Sequence, residues 1–77
     1  MMARGPRAGE VWVVDHTRKG RFTAKILVIE GGPRDSEWVR LEIVAGRARM
    51  MSDDGDVGPR DVLECRRSFM TFVERIS

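Results

Sequence analysis

The residues best suited to do chemistry in this chain are basic. Arg18, Lys19 and Arg21 surround Gly20 in the stretch GEVWVVDHTRKGRFTAKILVIE, Gly9 to Glu30, and no acidic residue lies between Asp15 and Glu30. Three cations in a short polar insert between two apolar runs suit phosphate, because a polyanion gains by exchanging condensed counterions for Lys and Arg. Trp38, with Arg40 two residues on, offers the complementary contact: an aromatic face that stacks a base or anchors a protein partner. Arg47 and Arg49 alternate with Ala48 and Met50 and so share a face, and Arg66 and Arg67 can extend the patch. Each feature has a plainer alternative. The insert can be a solvated turn, Trp38 can cover the end of a small fold, and the arginines can pair with the acidic run between Ser52 and Glu64.

Other chemistries find little support. His16 is the only histidine and Cys65 the only cysteine, too few for a zinc set and with no spacing that suggests a Cys-His nucleophile. Asp53, Gly58, Asp61 and Glu64 fall at positions 1, 6, 9 and 12 of a calcium-loop count, but Gly55 and Val57 occupy positions 3 and 5, which need side-chain oxygens. No metal, no cofactor and no catalytic residue is therefore expected.

The elements that must position these residues follow from size and pattern. With 77 residues there is room for one domain and a thin core. Hydrophobic content of 42% and charged content of 34% suit a folded domain, and no apolar run is long enough for a membrane helix. One cysteine excludes an internal disulfide, and with no apolar leader at the start it makes a cytoplasmic location the simplest expectation. The net charge of +2 alone says little about partners. Arginine outnumbers lysine and the chain holds no Asn, Gln or Tyr, as GC-rich coding would produce.

Residues 1–8 read as a flexible arm punctuated by Gly5 and Pro6, with a single domain over 9–77. Glu10 to Asp15, Phe22 to Glu30, Glu37 to Ala45 and Val62 to Arg66 read as strands from β-branched content and period-2 alternation, although Trp38, Leu41 and Ala45 also fall near one helical stripe. Gly46 suggests a hairpin turn into a further strand, Arg47 to Met51. Polar loops, GGPRDS and SDDGDVGPRD, separate these runs. The tail is open to two readings, a short helix through Phe69, Phe72, Val73 and Ile76, or a 3₁₀ turn at Ser68 to Met70 followed by a closing strand, Thr71 to Ile76. The expected fold is all-β, a single small barrel of five or six short antiparallel strands, since closure removes pairing-prone sheet edges. Its expected core is Val11, Val13, Phe22, Ala24, Ile26, Val28, Val39, Leu41, Ile43, Leu63 and Val73.

A glycine, alternating valines, a polar turn holding Lys19-Gly20 and a strand carrying Ala24 and Ile26 together resemble the start of an SH3-like barrel, and loosely the KOW motif of ribosomal and transcription-elongation proteins. That resemblance implies Gly20 as the turn glycine, with Arg18, Lys19 and Arg21 on an RNA-facing loop. Gly9 to Asp15 is also similar to the first strand of the MazF/PemK endoribonuclease toxins. Those toxins continue with a proline-containing loop and an Arg-Pro pair, whereas no proline lies between Asp15 and Glu30 here, so the likeness carries the fold and not the activity.

The reading is a non-catalytic module that contacts RNA or single-stranded DNA through Arg18, Lys19, Arg21, Trp38, Arg40, Arg47, Arg49, Arg66 and Arg67. The rival reading is a protein-interaction or inhibitor module of the kind small bacterial or phage accessory proteins supply. No membrane partner is expected, and the oligomeric state is not legible from sequence.

Overall fold

In the computed structural model, residues 5–31, 37–48 and 58–77 are described. Five strands form one antiparallel sheet: β1 (Val11–His16), β2 (Gly20–Glu30), β3 (Trp38–Gly46), β4 (Val62–Arg66) and β5 (Met70–Arg75). The all-β expectation holds, and so does the 3₁₀ turn near the C-terminus, which covers Arg67–Phe69 and leads straight into β5. Gly46 belongs to β3, opposite Phe22 of β2, rather than to a hairpin turn. Arg47 lies beyond the strand and Ala48 is buried in an isolated bridge. The rest of the expected Arg47 to Met51 strand lies outside the described residues, as do Met1 to Arg4, most of the GGPRDS loop and the acidic run through Val57. Among the described residues no helix is long and apolar enough to cross a membrane.

The strand order is β4-β3-β2-β1-β5, so the strands joined by the 3₁₀ turn sit at opposite ends of the sheet. Laid flat, five strands would hold those ends about 19 Å apart, at about 4.8 Å per step. The chain from Arg66 to Met70 reaches at most about 14 Å even when extended. The sheet must therefore curl, and three bulges bend it. Leu27 in β2, Val44 in β3 and Val73 in β5 are each the additional residue where the pairing register shifts. An inserted residue bends the strand and increases its local twist. Backbone bonds from Thr17 N to Phe69 O at 2.9 Å and from Arg67 N to Glu37 O at 2.8 Å continue the β1/β5 and β3/β4 ladders and tie the 3₁₀ turn to both ends of the sheet.

The core consists of Val14, Phe22, Ala24, Ile26, Val39, Leu41, Ile43, Ala48, Leu63, Cys65 and Met70. Seven of the eleven expected core residues are among them, and the register and bulges explain the other four. Directly paired residues share a face, and Trp12 and Val14 pair with the inward Ala24 and Phe22. That parity sends Trp12, Val14 and His16 inward and leaves Val11 and Val13 half-buried on the other side. The Leu27 bulge sets Val28 opposite the outward Arg40 and turns Ile29 toward the core. Val73 is itself the bulged residue and is exposed. Trp12 packs edge-on against Phe72, with ring centroids 5.8 Å apart, and its indole Nε1 donates to Glu10 Oε1 at 3.0 Å. That bond, with a further one from the Arg7 amide, holds the Glu10 carboxyl below its ordinary pKa.

A basic and aromatic groove at the end of the barrel

The basic insert forms a tight hairpin. His16 and Gly20 pair across a three-residue loop, Thr17-Arg18-Lys19, and Gly20 has φ +84°. Left-handed backbone at the end of a three-residue loop is where glycine carries no steric penalty, which accounts for its place in the insert. A buried side chain then fixes the loop. His16 is 5% exposed, and its Nδ1 accepts the backbone N–H groups of Arg18 at 3.1 Å and Lys19 at 3.2 Å. Accepting two amides requires a neutral ring with its proton on Nε2. Burial first, then Lys19 and Arg18 nearby, push the His16 pKa below its ordinary value.

This gives a pH dependence with a definite sign. Below about pH 6.5 the unfolded chain protonates His16 while the folded chain still holds it neutral, so the unfolded state binds more protons and stability falls. The contribution is complete above that pH and is lost progressively as pH drops toward the folded-state value. Urea unfolding of the wild type across this window should show declining stability on acidification, and His16→Gln should flatten the slope. A slope unchanged by the substitution would assign the effect to another group.

The loop rests on the 3₁₀ turn, where the Arg18 guanidinium lies 5.9 Å from the centre of the Phe69 ring. Across from it, Trp38 pairs with Arg66 on the outward face of β3 and β4, and the Arg66 guanidinium sits 5.0 Å from the Trp38 ring centre. Such contacts strengthen where water is excluded. Between the two lies a groove of about 200 Å³, lined by His16, Arg18, Lys19, Trp38, Arg66 and Phe69. Cys65 and Glu64 complete its wall. Burial raises the Cys65 thiol pKa, which leaves a weakly nucleophilic side chain there.

The arginines proposed from sequence divide by what they touch. Arg21 pairs with Asp15 at 3.5 Å, Arg40 with Glu64 at 3.2 Å and Arg67 with Glu37 at 3.8 Å. Arg67 also lies 5.0 Å from the centre of the Phe72 ring and does not line the groove described above. Arg18, Lys19, Arg47 and Arg66 have no carboxylate partner among the described residues. Arg49 lies outside the described residues. Trp38 is 41% exposed, as its alternation with Val39 and Leu41 predicts. Sequence reasoning missed His16 as the loop's anchor and Phe69 as the second aromatic face. Their roles come from a backbone turn and a chain closure that no local pattern encodes.

Among the described residues no cluster of His, Cys, Asp and Glu is arranged to hold a metal ion. No protein-family model, curated protein or solved structure matches this chain.

Proposed function

We propose that this chain is a small non-catalytic module that binds RNA or single-stranded DNA in the groove between the Thr17–Lys19 loop and Trp38. The observation that carries this reading is the meeting of two exposed aromatic rings with three cations that have no carboxylate partner among the described residues. Aromatic faces stack bases of any sequence, and Arg and Lys hold the backbone between them. Glu64 at the wall is partly offset by its pairing with Arg40, so the groove keeps an excess of positive charge. The SH3-like and KOW resemblance of residues Gly9 to Val28 points the same way, toward an RNA-facing loop.

Trp38→Ala tests this. Trp38 lies outside the buried core, so the variant should keep a melting temperature near that of the wild type while losing more than about 1 kcal/mol of affinity for a single-stranded oligonucleotide. A large drop in melting temperature with affinity intact would make Trp38 a lid over the barrel end. A wild-type protein that binds no strand at low salt would remove the nucleic-acid reading and leave a protein partner as the occupant of the groove.

A further inference from the structure

A second cavity of about 410 Å³ lies on the other side of the Thr17–Lys19 loop. Its lining is polar where the groove's is mostly apolar: Arg18, Lys19, Arg47, Thr17 and Gly20 with Asp15. Asp15 is engaged by Arg21, whereas Arg18, Lys19 and Arg47 have no carboxylate partner among the described residues. His16, Arg18 and Lys19 line both cavities and form the wall between them.

An apolar aromatic slot and a cationic polar one, separated by a single short loop, match a ligand that is planar and apolar at one end and anionic at the other. One unpaired nucleotide has that form. We infer that the two cavities are base and phosphate subsites for a nucleotide of a single strand, with the base against Trp38 and Phe69 and the phosphate at Arg18, Lys19 and Arg47. This rests on the nucleic-acid reading above and narrows it, since a base inside a duplex has both faces covered by its stacked neighbours and an abasic strand has nothing to stack. His16 adds a donor at the wall. Its Nδ1 is occupied by the loop amides, and its Nε2–H has no acceptor among the described residues.

Fluorescence anisotropy with the full chain at low salt, using an oligothymidylate strand, an abasic strand of equal length and a duplex of equal length, tests the assignment. The oligothymidylate should bind about tenfold or more tightly than either of the others, as expected for base-aromatic stacking. Phe69→Ala should weaken binding of the oligothymidylate and leave the abasic strand unchanged. Arg47→Ala should weaken both by the same factor and reduce the salt dependence of both. The wild-type comparison of the three probes stands even if a variant folds poorly.

Equal affinity for the base-bearing and abasic strands, or for the strand and the duplex, would overturn the subsite assignment while leaving nucleic-acid binding intact. Absence of binding to every probe would overturn both. Thymidine 5′-monophosphate that competes as well as the strand at equal concentration would overturn the assignment to a strand and make the site one for free nucleotides.

Discussion

Leu41→Ala should destabilise the domain by roughly 2 to 5 kcal/mol, the range for deleting a fully buried leucine side chain. Leu41 has no exposed surface, and it faces Ile26 on β2 and Leu63 on β4 across the two ladders that β3 forms. Strands hydrogen-bonded on both sides have little freedom to close over the space the side chain vacates. A domain of this size has total stability on the order of 4 to 12 kcal/mol, so the loss takes a large fraction of it. Urea unfolding of the wild type and variant measures the difference. Val73→Ala is the control, because Val73 is the exposed bulge residue of β5 and its truncation should stay within about 0.5 kcal/mol. A Val73 variant as damaged as the Leu41 variant would mean that β5 packs in the opposite parity.

Changing Arg18, Lys19 and Arg66 together to Ala should lower affinity for a single strand by about tenfold or more at low salt and reduce the salt slope by up to about 2, at about 0.7 per lost phosphate contact. The fold should persist. His16 anchors the loop through the backbone amides of Arg18 and Lys19, which the substitutions retain, and none of the three side chains belongs to the core. Arg21→Ala should change the slope much less, because its guanidinium already faces Asp15. Binding isotherms over a salt series measure both. A triple variant with unchanged affinity and slope would place phosphate contacts elsewhere on the molecule and reduce the insert to a soluble turn.

Sequence by itself determined the all-β class and the approximate limits of β1 to β4, because β-branched content and period-2 alternation report the local backbone directly. It determined the inward face of β3, where Val39, Leu41 and Ile43 alternate with polar neighbours. It also placed the basic turn, since Gly20 with its flanking cations cannot be mistaken for a strand interior. Local pattern chose the wrong face of β1: Val11, Trp12, Val13 and Val14 are all apolar, so alternation could not separate the two parities, and the expected Val11 and Val13 face is the outer one. The hairpin register decided it, by setting His16 opposite Gly20 and Val14 opposite Phe22. Tertiary structure alone also decided the outward turn of Val28 and Val73, because a bulge answers to the curvature of the whole sheet rather than to the residue it displaces. The groove is the largest such case. Arg18 and Phe69 are far apart along the chain, and they meet because the 3₁₀ turn closes the sheet and the Thr17 amide docks on the Phe69 carbonyl.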